Sequence, residues 1–319
     1  GILTVFAYSY LKSESFDLPD NKTDKINIDS REFMITDDTM HSIPLDEILS
    51  GGPPKDGIPS IDEPKFISTS EADEFLKDDE IGLGLFYKDE ARFYPFQVMV
   101  WHEIVNDKIQ GEPILVTYCP LCFTGIVFES KVNGEAQEFG VSGKLWKSNL
   151  LMYNRTGDPN TESLWSQVLG EAVVGPETGT KLKIIPSDIV RYSDWKNKYR
   201  DTKVLSRDTG HSRSYGRDPY GGYYTSDSFI FNPGFEDERL HPKEFVVGIE
   251  VDGKFKAYKA DVVKEGVTED SVGGVGVKIE KSSVGEFKFT KDDSGEIIPH
   301  INAFWFSWVS VHPETELFK

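Results

Sequence analysis

The chain has 319 residues, 38% of them hydrophobic and 13% aromatic, and a formal charge of −19 from 54 acidic against 35 basic residues. That length and apolar content suit an ordered globular protein with a sizeable core, as one large domain or two smaller ones, and exclude a disordered chain. The negative field repels phosphate backbones, which excludes nucleic acid as a partner. No run reaches the roughly 20 apolar residues that a membrane-spanning helix needs.

The first ten residues, GILTVFAYSY, are apolar and β-prone. They read as a first strand, as the trimmed remnant of a signal or anchor segment, or as an exposed strand that pairs with a neighbouring subunit's sheet edge. The last reading implies homo-oligomer or filament contacts. Two sequons, Asn21-Lys-Thr23 and Asn154-Arg-Thr156, permit glycosylation if the chain is exported. Residues 1–80 read as an irregular N-terminal leader rich in Asp, Ser, Pro and Glu, with SGGPPKDGIPSIDEP at 50–64 as a loop. Short helices are predicted within it at 43–49 and at 68–76. The second opens on a Ser/Thr cap followed by acids, as a helix N-terminus prefers.

From residue 81 to 319 the texture is that of a mainly β domain, with a first unit at 82–180, a loop-rich connection at 181–244 and a second unit at 245–319. Runs such as GLGLFY, ARFYPF, PILVTYC, GIVFES and NLLMYN, separated by Gly, Asn and Pro, predict strands. The expected fold class is therefore mainly β with minor helices, the latter around 96–105 and 186–199. The stretch 205–237 reads as a long loop of Gly, Tyr, Arg and Asp. Residues 89–116 line up with 252–279 across one small gap, so two related β units from an internal duplication are expected in one body. The second copy lacks the His, the Trp and the Cys pair, which assigns any chemistry to the first.

That chemistry concentrates in TYCPLCFTG at 117–125, which holds the only two cysteines, Cys119 and Cys122. Three readings compete. A disulfide closing so short a loop restrains the unfolded chain by only about 2 kcal/mol, against about 4.7 for a hundred-residue loop. A redox pair is suggested by the internal proline, but FTGIVFES reads as strand, so the helix dipole that lowers a thioredoxin-type thiol is missing.

The third reading is metal. CPLC followed by Phe-Thr-Gly resembles a zinc-knuckle turn, although two sulfurs do not complete a tetrahedral site and no second CxxC exists. His102 precedes the strand ending at Cys119 and is the expected third ligand, with His312 or His300 as the fourth. Glu103 would orient the imidazole or act as a base. Thiolate with imidazole suits copper or zinc, and copper is favoured in an exported protein. HEIVN is not HExxH, which excludes a zincin protease.

Other motifs carry less. Ser142 lacks the GxSxG elbow of a hydrolase. The polar residues of SGKLWKSNLLMYNR (142–155) and ESLWSQ (162–167) either line a pocket or form a hydrogen-bonded core. Arg207, His211, Arg213 and Arg217 bind an anion or cover a pocket, or else their loop packs its tyrosines on the body. GGVGVK (273–278) and TKDDSGE (290–296) are turns with neither phosphate-loop nor calcium-loop spacing. AFWFSWVSVHPETELF reads as a core strand and exit turn.

The motifs YPFQVMVWHEIVND, PILVTYCPLCFTGIVFE, FGVSGKLWKSNLLMYNR, ESLWSQVLGEAVVGP and AFWFSWVSVHPETELF resemble, in this order, domain-of-unknown-function family 3179 of bacteria and archaea. The resemblance runs from about Ser42 to the C-terminus. Members often carry export signals or lipoprotein anchors, so it implies an extracytoplasmic setting, and it implies no activity. The expectation is an extracytoplasmic metal-binding protein with copper or zinc held by Cys119, Cys122, His102 and His312. The alternatives are a thiol–disulfide oxidoreductase using the same cysteines, and a structural or surface-assembly subunit with a CPLC disulfide and N-terminal strand exchange.

Overall fold

The computed structural model describes residues 23–28 and 31–318. GILTVFAYSY and Asn21 lie outside the described residues, and with them the expected N-terminal strand exchange. Strands β1 (Asp24–Ile28), β2 (Arg31–Thr36), β3 (Thr39–His41), β4 (Leu49–Ser50) and β5 (Phe66–Ile67) are followed by a one-turn helix, α1 (Thr69–Ala72). Next come β6 (Ile81–Tyr87), β7 (Glu90–Pro95), helix α2 (Phe96–Met99), β8 (Ile104–Ile109), β9 (Glu112–Cys119) and β10 (Thr124–Glu129). The middle of the chain holds β11 (Lys131–Val132), β12 (Glu135–Ala136), β13 (Phe139–Trp146), β14 (Asn149–Asn154), β15 (Leu164–Ser166), β16 (Glu171–Val174) and β17 (Ile184–Ile185). Beyond it lie β18 (Asp188–Arg191), helix α3 (Tyr192–Lys198) and β19 (Lys203–Leu205). After a long irregular stretch come β20 (Phe245–Val251), β21 (Lys254–Lys259), β22 (Gly266–Val272), β23 (Val275–Lys281), β24 (Phe287–Lys291), β25 (Ile297–Ile298), β26 (His300–Phe304), helix α4 (Trp305–Val311) and β27 (Glu316–Phe318).

The fold is mainly β, as the alternating runs predict. Its hairpins close through two-residue turns with both residues in the left-handed region: Lys88-Asp89, Gln110-Gly111, Lys147-Ser148 and Asp252-Gly253. Such turns match the right-handed twist of the strands they join. One sheet runs β1-β2-β3-β16-β15-β14-β13-β4, a second β27-β21-β20-β26-β10-β9-β8, a third β18-β6-β7-β19-β5 and a fourth β22-β23-β24-β25. The largest apolar cluster lies where the second sheet meets β13–β15, and it contains Cys119, Leu121 and Cys122.

Two sets of elements repeat one arrangement. The hairpin β6–β7 is flanked by antiparallel β18, whose chain passes through α3 and returns as β19, parallel to β7. The hairpin β20–β21 is flanked by antiparallel β26, which passes through α4 and returns as β27, parallel to β21. Trp195 packs where a Cβ on Gly84 would sit, and Trp308 packs likewise on Gly248. Each indole N–H donates to a threonine seven residues on, Trp195 to Thr202 and Trp308 to Thr315, both at 2.9 Å.

The adjoining hairpins match too. Within residues 89–116, Tyr94 and Arg92 bond Asp107; within 252–279, Tyr258 and Lys256 bond Asp270. The likeness is one of geometry and does not by itself confirm a duplication.

Four local expectations change, one being the helix around 186–199, which begins only at Tyr192 because Asp188–Arg191 pair with β6 as β18. Residues 24–50, read as irregular leader, supply β1–β4, because the apolar positions of EFMIT pair with β3 and continue the sheet of β13–β16. The helix expected over 96–105 stops at Met99, since Glu103 turns left-handed (φ 61°) and the β-branched Ile104 and Val105 begin a strand. The closing AFWFSWVSVHPETELF contains helix α4, fixed by Trp308 against Gly248. Of the two short helices predicted in the leader, the first is a 3₁₀ turn at Leu45–Glu47 and the second is α1, with the full Ser68/Glu71 capping box.

Candidate functional site

The two cysteines sit on the tight turn between the central strands β9 and β10. Pro120, with its fixed φ, opens that turn, and the Cys122 N–H donates to the Cys119 carbonyl at 3.2 Å. Both thiols are free and buried, Cys119 at 2% and Cys122 at 0% exposure. Phe123 leaves the turn in the left-handed region (φ 50°), which returns the chain to β10. The Phe304 N–H donates to the Cys122 carbonyl at 2.9 Å and ties the turn to β26.

Facing the turn is the β13–β14 hairpin tip. Its Ser148 carbonyl accepts from the Cys122 thiol at 3.2 Å and from the Cys119 thiol at 3.9 Å. Burial pushes the Cys119 thiol well above its ordinary range and the neighbouring Cys122 adds to this. The backbone N–H groups of Leu150 and Cys122, aimed at the same sulfur, pull the other way. Polar residues lock the hairpin tip to the thiol turn. The Asn149 amide donates to Gln167 Oε1 at 2.8 Å, and Gln167 Nε2 donates to Thr117 Oγ1 and the Thr124 carbonyl, both at 3.0 Å. The polar letters of SNLL and WSQ are thus a hydrogen-bonded core that aligns two turns.

The structure brings Glu103 to this place and turns His102 away from it. Glu103 N–H donates to the Met99 carbonyl, and its own carbonyl accepts from Tyr118, both at 2.7 Å, so its backbone is held from both sides. Its carboxyl is buried, at 7% exposure for the residue, and among the described residues it has no hydrogen-bond or ion-pair partner. Burial, and then the proximity of Cys119, raise it well above the usual carboxylate range. A carboxyl whose pKa is raised by burial is a common feature of working sites.

His102 is fully engaged. The Pro59 carbonyl can only accept, so Nδ1–H donates to it at 2.7 Å, and in the neutral ring Nε2 then accepts from the Tyr215 hydroxyl at 2.7 Å. Burial holds its pKa down to about 4. His312 ends helix α4 with its ring stacked on Phe255 at 3.9 Å, the place that Tyr199 takes after α3. His300 bonds Asp188 at 2.9 Å. Among the described residues no group of three or more His, Cys, Asp and Glu is assembled to hold a metal ion.

The long Tyr/Arg loop covers the thiol turn, one of the roles its composition suggests. Tyr223 is buried in the cluster of the cysteines and its hydroxyl donates to the Leu121 carbonyl at 2.9 Å. Tyr224 sits edge-on to Phe123, with ring centres 5.7 Å apart. Ser148, whose carbonyl receives the thiols, donates its hydroxyl to the Phe231 carbonyl. Arg207 bonds Gln97 and lies 4.3 Å over the Phe75 ring. Sequence reasoning does not reach Ser148 or Tyr223. The two-residue interval between LW and NLL is the available signal for the first, and nothing in the local pattern points to the second. Of the sequons, Asn154 is buried and its amide oxygen accepts from Ser163 N–H at 2.7 Å and from Trp165.

A family profile described as "Protein of unknown function (DUF3179)" matches residues 55–294, three quarters of the chain, and the chain belongs to that family. No curated protein and no solved structure matches it.

Proposed function

We propose that this member of the DUF3179 family is an extracytoplasmic metal-binding protein that holds one thiophilic ion, Cu(I), between Cys119 and Cys122. The observation that carries the reading is the convergence of both sulfurs on one buried spot, with the Leu150 and Cys122 amides aimed at the Cys119 sulfur. Those amides stabilise a thiolate once a metal has displaced the thiol proton. Copper is preferred over zinc because soft thiolates select Cu(I), whereas zinc takes four ligands. His102 and His312 have other work in the fold and are not in the proposed ligand set. Glu103 stands beside the pair, its carboxyl pKa raised by burial and by Cys119.

The thiol–disulfide alternative uses the same turn, whose short span suits a disulfide. Against it, a buried thiol with a raised pKa offers little thiolate for attack. Anaerobic titration of the reduced chain with Cu(I) against a competing chelator tests the proposal. One ion per chain is expected, with affinity lost at least about a hundredfold in either Cys119→Ser or Cys122→Ser. Unchanged binding in the double variant, or no stoichiometric uptake by the wild type, would sink it.

A further inference from the structure

We propose that residues 207–241 form a lid that opens as a unit to admit an occupant to the Cys119–Cys122 pair, with His102 and Tyr215 as one of its latches. The inference rests on the reading of that pair as the working site. Its ends are pinned by backbone hydrogen bonds: Ser206 N–H to the Lys65 carbonyl at 2.8 Å, and Phe306 N–H to the Pro242 carbonyl at 2.9 Å. Between them, among the described residues, backbone-to-backbone bonds run within the segment, as from Tyr223 to Tyr220 and from Arg217 to Ser214, apart from the Glu244 N–H on the His241 carbonyl at its very end. Its only regular element is a 3₁₀ turn at Gly221–Thr225. A loop of this length without strands is uncommon in a compact domain and is often an active-site cover.

Side-chain contact is therefore the force that holds the segment down. Three latches join the segment to the body: beside the thiols, the Tyr223 hydroxyl on the Leu121 carbonyl and the Ser148 hydroxyl on the Phe231 carbonyl, and away from them the Tyr215 hydroxyl on His102. Just beyond the pinned end, Lys243 donates to the Tyr223 carbonyl, to the Ser228 carbonyl at 2.7 Å and to the Ser226 hydroxyl at 3.1 Å, a further latch on the central turn that opening must break. The remaining walls are ladder-bonded strands, β9 with β10 and β13 with β14. Raising the lid breaks no sheet, whereas parting either strand pair does. Local openings of this kind need far less free energy than global unfolding.

The test is the rate at which a thiol reagent such as DTNB labels the reduced, folded full-length chain. Tyr223→Phe and Tyr215→Phe each remove one latch and leave the ring, and each should speed labelling about fivefold to tenfold, the size of one lost hydrogen bond. Native-state hydrogen exchange on the wild type is the second measurement. Amides of the lid should exchange through an opening that leaves those of β9 and β10 protected. Labelling at the wild-type rate in both variants, or lid and strand amides exchanging only together, would overturn the lid. The labelling needs no metal, so a failed copper titration with accelerated labelling rejects the metal reading alone, and the converse rejects the lid alone.

Discussion

The β6–β7–β18–α3–β19 frame and the β20–β21–β26–α4–β27 frame share strand order, a tryptophan on a glycine, and an acid bonded by a tyrosine and a base. They differ in the strands that succeed them. After β9 the first has Cys119-Pro-Leu-Cys122; after β23 the second has a plain turn closed by the Gly285 N–H on the Ser282 carbonyl at 3.0 Å. Counting back four residues from the matched acids, the first frame has Glu103 where the second has Gly266, and both are left-handed, at φ 61° and 99°. Glycine adopts that conformation freely, and an L side chain there is strained. The thiols and the carboxyl are thus carried by one frame and not by its counterpart, whose geometry stands without them.

If the frames are equivalent, Trp195→Ala and Trp308→Ala should each cost about 3–5 kcal/mol, within about 1 kcal/mol of each other, as read from urea unfolding. A large cost in one and a small cost in the other breaks the comparison. The acids should differ. Asp107 and Arg92 are buried more deeply than Asp270 and Lys256, with the carboxylates at 4% and 16% exposure. Asp107→Ala, which removes the acceptor shared by the buried Arg92 guanidinium and the Tyr94 hydroxyl and leaves Arg92 only Glu90 and the Lys108 carbonyl, should cost about 3–5 kcal/mol. Asp270→Ala should cost about 1–3 kcal/mol, because the lysine left behind keeps the Ser271 carbonyl and Glu316, and the lost carboxylate is itself less buried. Smaller again is the indole bond: Thr202→Val and Thr315→Val each leave a buried N–H unpaired, for about 1–2 kcal/mol by the same measurement.

Much of the fold is legible in the sequence. Alternating runs bounded by Gly and Asn predict the hairpins, the Ser68/Glu71 box predicts α1, and the lone Cys pair on a strand-ending turn marks the spot where polar groups converge. Local pattern cannot show which way a side chain faces after a left-handed residue. Neighbouring His102 and Glu103 look equally available in VWHEIV, and the φ of Glu103 aims one at Pro59 and Tyr215 and leaves the other beside Cys119. Contacts across a hundred residues, such as Tyr223 on Leu121, have no local signal at all. His312 reads as a ligand until helix α4 is seen, where it caps the helix as Tyr199 does in the other frame.

The finest test separates the two frames at Glu103 itself. Burial holds its carboxyl above the ordinary range, so between the unfolded and folded values the native chain carries a proton that the unfolded chain has lost. Stability therefore falls as pH rises through that window, at up to about 1.4 kcal/mol per pH unit. Glu103→Gln cannot titrate, so its advantage over wild type should be near zero at about pH 4 and grow towards neutrality. Glu103→Gly makes the first frame like the second and should add about 1 kcal/mol more at every pH by relieving the strained φ. Denaturant unfolding across pH reads both effects. Parallel curves for wild type and Glu103→Gln would mean that the carboxyl finds a partner in solution, and the case for Glu103 as an acid kept beside the thiols for work would fall.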